Sequence, residues 1–275
     1  MPKIIHQSKY KRFQQIQCCK HQKLHQFGWY KRKSDSQKID RFRCHSCGKT
    51  MSNASLDIAK WQKKRQLNHM VKMMLASNMS MRRIAKVLHI DPKTVARKLV
   101  FLGTHLNNEL KKQCVSHVSD IQFDELQTIE HTKLKPLSVA MAVSKKERKI
   151  LGFRVSSMPA TGHLAKMSRK KYGARPDHRK AGMLALFKEL SGFLSPTACI
   201  SSDECSFYSG VVKRHFPRAS YSQYCGKKSA VSGQGELKKV GFDPIFSINH
   251  TFAMLRANIC RLIRKTWNTT KRYRV

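Results

Sequence analysis

The sequence predicts an α/β fold for its C-terminal part, preceded by two smaller segments of different composition. Three observations carry this. From about Val118 onward, aliphatic strand-like runs alternate with amphipathic helical stretches. From about Ala59 to Gly103, apolar residues recur at helical spacing. Up to about Ser55 the chain is rich in Cys, His, Lys and Gln and poor in aliphatics. The boundaries that follow are residues 1–55, 59–103 and 118–275. The polar stretch 104–117 reads as a linker or a helix extension.

In the last segment, residues 121–126 form a first strand that carries Asp124. Residues 137–143 and 150–155 form a hairpin across a turn at 144–148. A helix over 179–193, a strand over 198–202 that delivers Asp203, a helix over 207–216 and a short strand over 219–224 complete the sheet. A long final helix opens at Asn249, burying Phe252, Leu255, Ile259, Leu262 and Ile263. Its other faces carry Arg256, Arg261, Arg264 and Lys265. This order matches a ribonuclease-H-like α/β fold, in which the first and fourth strands are neighbours. Asp124 and Asp203 then face each other, while Glu204 points to the opposite side. Clustered carboxylates repel unless a cation bridges them. Mg²⁺ prefers a few carboxylates together with phosphate oxygens and water. Two such ions about 4 Å apart activate a nucleophile and stabilise the leaving oxygen of a phosphodiester.

In the middle segment, residues 61–76 place Leu67, Met70, Val71, Met74 and Leu75 on one helix face. Ser80 caps a short helix through Ile84, Ala85, Val87 and Leu88. His89-Ile90-Asp91-Pro92 then makes a turn, with Asp91 suited to the N-cap and Pro92 to the first helical position. The next helix is expected to expose Lys93, Thr94, Arg97 and Lys98 and to bury Val95 and Leu99. That is a helix-turn-helix pattern, whose second helix enters a major groove by its N-terminal residues.

The first segment contains Cys44-His45-Ser46-Cys47-Gly48, a turn that brings two thiolates to one tetrahedral ion. Cys18 and His21 supply the second pair, with Cys19 and His25 as substitutes. Residues 28–33 and 38–43 form a hairpin around Ser34-Asp35-Ser36. The layout is a zinc ribbon with a structural Zn²⁺.

Charge selects the partner. The chain has 55 Lys and Arg against 16 Asp and Glu in 275 residues, a formal net charge of +39. Self-repulsion of that size favours a polyanionic partner, and dispersed cations gain from counterion release on nucleic acid. No apolar run approaches the roughly 20 residues that span a bilayer, so no membrane role is expected. The first residues lack the apolar stretch of a signal peptide. With nine Cys read as thiols and metal ligands, a cytoplasmic location is expected.

Taken together, the zinc ribbon, the helix-turn-helix, the Asp124 and Asp203 strands, Ile248-Asn249-His250, Leu255-Arg256 and residues 261–266 resemble bacterial insertion-sequence transposases of the DDE type. The similarity covers nearly the whole chain, and the final helix is its most specific part. The resemblance implies binding of double-stranded DNA at element ends and target, a homo-oligomer assembled on that DNA, and Mg²⁺-dependent strand cleavage and transfer with two ions. It matches Asp124 and Asp203 to the first two acids. Asn249 falls where most such enzymes have Glu; some subgroups have Asn followed by His, as in His250. Glu236 is the rival third acid. The resemblance further implies DNA contacts from Lys93, Thr94, Arg97, Lys98, Arg256 and Arg264. Relatives continue for another helical segment past the equivalent of Val275, so a truncated chain is an expectation, and with it a DNA-binding repressor without catalysis. A nuclease that cuts without joining is the third reading.

Overall fold

The computed structural model describes residues 19, 24–60, 62–113, 118–225 and 243–263. Cys18, His21, Glu236, Arg264 and Lys265 lie outside these residues. The chain divides into two compact units, residues 1–73 and 74–275.

The first unit holds a three-stranded antiparallel sheet of β1 (Leu24–Lys31), β2 (Lys38–Cys44) and β3 (Thr50–Ser52), in that order. The turn between β1 and β2 is held by the Arg32–Asp35 ion pair, with Arg32 also donating to Gln37. A short α1 (Asn53–Leu56) follows β3. The expected continuous helix over 61–76 is interrupted. Lys64 takes a positive φ of 51°, a 3-10 turn covers Arg65–Leu67, and α2 spans only Asn68–Ala76.

The second unit continues with α3 (Met81–Val87) and α4 (Pro92–Gln113). The Ser80 hydroxyl accepts from Arg83 N at 3.3 Å, and the Asp91 carboxylate accepts from Lys93 N at 2.6 Å, so both helices start on side-chain caps. The helix runs through the stretch 104–113 without a break.

The five-stranded sheet comprises β4 (Val118–Ile129), β5 (Pro136–Ser144), β6 (Ile150–Ser157), β7 (Leu194–Asp203) and β8 (Ser220–Tyr224), ordered β6-β5-β4-β7-β8. β4, β5 and β6 are antiparallel, whereas β7 and β8 join parallel to β4. The parallel joints require crossovers. α5 (Leu164–Tyr172) and α6 (Arg179–Leu190) lie between β6 and β7, and α7 (Tyr208–His215) lies between β7 and β8. One sheet face buries Ile121, Phe123 and Ile200 against Leu186, Phe187 and Val211. The other buries Leu126, Val139, Met141 and Val143 against Ile245, Ile248 and Phe252 of α8 (Phe246–Asn258) and its entry. β5 therefore reads as a nearly continuous apolar run, being covered on both faces.

The final helix departs from its expected form at both ends. It begins at Phe246, not Asn249, because Asp243-Pro244 makes the start: the Asp243 carboxylate accepts from Ile245 N at 3.0 Å. It ends at Asn258. There Ile259 turns extended and the Asn258 carbonyl accepts from Asn78 N at 2.8 Å, so Ile259 and Leu262 are half-buried and Ile263 is exposed. Among the described residues, no helix is long and apolar enough to cross a membrane.

Candidate functional site

Two neighbouring parallel strands build the carboxylate site. β4 pairs with β7 in the register Ile121–Ile200, Gln122–Ser201 and Phe123–Ser202, so Asp124 and Asp203 occupy the next rung side by side. Residues level with each other on adjacent strands sit about 4.8 Å apart and share a face. Asp203 ends β7, whereas Asp124 lies midway along β4, and Phe123 and Ser202 just before them are fully buried. Each is fixed locally: Asp124 accepts from Glu125 N at 2.6 Å, and Asp203 from Glu204 N at 2.5 Å. The Tyr208 hydroxyl donates to Asp124 at 3.4 Å.

Burial pushes the Asp124 carboxyl up to about 7, and the negative charges of Asp203 and Glu125 add to that, against the Glu125 amide hydrogen bond. The Tyr208 phenol is also driven up, by burial first and then by Asp124. The anion is favoured by the Glu125 and Tyr208 hydrogen bonds, and a cation bound here would favour it further. Two carboxylates level with each other on adjacent strands are hard oxygen donors of the kind that Mg²⁺ takes.

α8 is fastened to this site from two sides. The Gln122 side chain, two residues before Asp124 on the same face of β4, donates to Pro244 O at 2.8 Å and accepts from Ile248 N at 3.1 Å. The Ser247 hydroxyl donates to Lys145 O at 2.6 Å, and Arg148 reaches His250 Nδ1 at 3.4 Å. Asn249 thus sits in the first turns of a helix whose entry is tied to β4. Its Nδ2 donates to Asp243 Oδ2 at 2.9 Å, which leaves Oδ1 as the amide's unused acceptor. No hydrogen bond among the described residues joins Asn249 to Asp124 or Asp203. Asp243 and Gln122 were not singled out from the sequence. Asp-Pro ahead of a helix was the available signal for the first; a Gln inside an apolar strand was the signal for the second.

The basic helix needs one correction. Lys93 and Arg97 are exposed and Thr94 half-buried, but Lys98 is only 3% exposed while Leu99 is 40% exposed. Lys98 lies three residues after buried Val95 and four before buried Leu102, inside the buried stripe of α4, whereas Leu99 lies at its edge. Burial lowers the pKa of Lys98. A concave surface beside the turn is lined by Arg82, Lys86 and His89 with Ala85, Ile90 and Pro92. Arg256 is half-buried on α8.

In the first unit, the sulfurs of Cys19, Cys44 and Cys47 lie within 4.8 Å of one another, with Cys19 and Cys44 at 3.6 Å. The Cys44–Cys47 turn closes through Gly48, whose positive φ of 67° suits glycine and whose N donates to Cys44 O at 2.9 Å. Cys19, the substitute for Cys18, is therefore the described upstream sulfur, and the trio could bind a metal. The His25 ring lies against His45, with centres 4.2 Å apart and planes tilted by 40°, and is not part of the trio. No protein-family model matches the chain, and no curated protein matches it significantly.

Proposed function

We propose that the protein is a DNA transposase of the DDE type, here with Asp, Asp and Asn. On this reading a ribonuclease-H-like domain cuts and joins strands, and a zinc ribbon and helix-turn-helix bind double-stranded element ends as a homo-oligomer in the cytoplasm. The observation that carries it is the side-by-side placement of Asp124, midway along β4, and Asp203, at the end of its parallel neighbour β7, with the antiparallel strands β5 and β6 on the far side of β4. The adjacency of the first and fourth strands of that sheet supports the ribonuclease-H-like reading.

The chain's own residues supply positioning. Asp124 and Asp203 would hold Mg²⁺, with Asn249 Oδ1 as a neutral third donor oriented by Asp243. Bound Mg²⁺ would supply charge neutralisation at the scissile phosphate and a more acidic nucleophile. Gln122 keeps the helix entry against β4, and Arg148 lies beside His250, where a phosphate oxygen would add a further partner. Lys93, Thr94 and Arg97 are the contacts offered to a major groove. Arg256 lies half-buried along the final helix. In the first unit, thiolates on a tetrahedral zinc ion are spaced about 3.8 Å apart by Zn–S bonds of about 2.3 Å, close to the 3.6 Å between Cys19 and Cys44.

The test is strand cleavage and joining on the DNA that borders the coding region, with Mg²⁺. Wild type should join 3′ ends to a target, and Asp203→Asn should abolish both steps. Undiminished cutting and joining by Asp203→Asn overturns the site. A second reading is a DNA-binding repressor without catalysis, motivated by Asn249, an amide at the position where the resemblance implies Glu in most such enzymes. Specific DNA binding with no nicking at any Mg²⁺ or Mn²⁺ concentration would select it.

A further inference from the structure

The β1–β2 hairpin presents aromatic rings where a small ribbon would ordinarily hide them. Phe27 is 42% exposed, Trp29 57% and Tyr30 37%. Each of the first two carries its own cations. The guanidinium carbons of Arg41 and Arg43 both lie 5.4 Å from the Phe27 ring centre, and Lys38 Nζ lies 4.6 Å over Trp29. A bulge sets this up. Gln26 pairs with Phe42 and Trp29 with Asp40, so three steps of β1 span two of β2. Gly28 absorbs the irregularity with a positive φ of 87°. β1 is also an edge strand of its sheet.

We propose that this edge is a stacking platform for unpaired bases of single-stranded DNA. Exposed ring faces beside phosphate-binding cations are what unpaired bases need, because every base offers a π-face and every nucleotide a phosphate. A duplex hides its base faces, and a phenyl ring has no hydrogen-bonding group with which to read a groove edge. The charge around the rings fits a polyanion. Asp35 is occupied by Arg32, and Asp40, opposite Trp29, is outnumbered by Lys31, Lys33, Lys38, Arg41 and Arg43. Cation–ring contacts also hold the aromatics out in a fixed orientation, which lowers the cost of ordering them on binding. The hairpin argues for unpaired bases whether or not Asp124 and Asp203 cut DNA, and the choice of DNA over RNA rests on the DNA-binding reading proposed above.

The test uses the full chain and fluorescence anisotropy with labelled oligothymidylate, oligouridylate and a duplex of equal length, at low and high salt. The expected result is tighter binding of oligothymidylate than of either competitor once salt has screened the phosphate term. The double substitution Phe27→Ala with Trp29→Ala should weaken that binding about tenfold or more while changing duplex affinity by less than about twofold. Phe27→Tyr with Trp29→Phe should retain it, which separates lost stacking from a lost fold. Duplex or RNA bound as tightly as single-stranded DNA, or unchanged oligothymidylate affinity in the alanine variant, overturns the proposal.

Discussion

The two sheets of this chain solve opposite problems. The five-stranded sheet is covered on both faces, and its central strands bury Ile121, Phe123, Ile200 and Val143 completely. It can therefore hold a partly buried acid, Asp124, in a protonation state that water would not favour. The three-stranded sheet buries little beyond Ile39, Phe42, Cys44 and Met51, and exposes most of β1. A core that small does not stand on apolar burial alone, and its sulfur trio is the natural staple. The difference teaches that one sheet can strain its chemistry because packing supports it. The other has little packing of its own and carries a sulfur trio that could bind a metal.

Three experiments would break or sharpen that contrast. The largest effect is expected from removing the staple. Cys44→Ser or a strong chelator should erase amide-exchange protection across β1, β2 and β3 while the larger sheet still melts cooperatively. Zinc binding stabilises such small sites by roughly 10–16 kcal/mol in peptides, so protection that survives chelation would refute the metal's structural role. Next comes Phe123→Ala. Phe123 is fully buried, with Phe187 and Tyr208 ring centres each at 4.9 Å. Its loss should cost the larger sheet about 3–5 kcal/mol in denaturant titration, and a cost near zero would show that packing does not dominate there.

The smallest effect concerns Asp124. Its folded pKa of about 7 stands above the ordinary 3.8, so the native state binds the proton more tightly than the unfolded chain. The associated stability is fully present below about pH 4 and is lost as pH rises toward 7. Asp124→Asn should remove this slope. It should match wild type near pH 4 and exceed it near pH 8 by on the order of 3 kcal/mol in metal-free buffer. Parallel stability profiles for the two proteins would contradict the burial of that charge.

Much of the larger sheet was legible because its strands alternate or run apolar between clear turns, and Asp91-Pro92 announced a helix start that the structure keeps. The paired rung of Asp124 and Asp203 followed from strand order. Other features depended on what a single residue could not reveal. Lys98 looked exposed because it is charged, yet helical phase sets it between Val95 and Leu102. The entry to α8 was placed too late because Asn249 drew attention away from Asp243-Pro244. The helix α5 was missed because its basic residues mask a weak apolar face, and β3 because three residues carry no period. Phe27 and Trp29 became a feature only through a bulge, which is a property of pairing and not of local sequence.

Gln122 has a consequence in time. Its side chain joins two partners, one of them 122 residues later in the chain. At synthesis rates of roughly 5–20 residues per second, β4 leaves the ribosome many seconds before the helix that its amide will hold. Asp124 and Asp203 can meet as soon as β7 is made, but Asn249 and the rest of α8 follow only after nearly all of the described chain exists. The helix whose entry Gln122 fastens is therefore the last part of the larger sheet's core to be made.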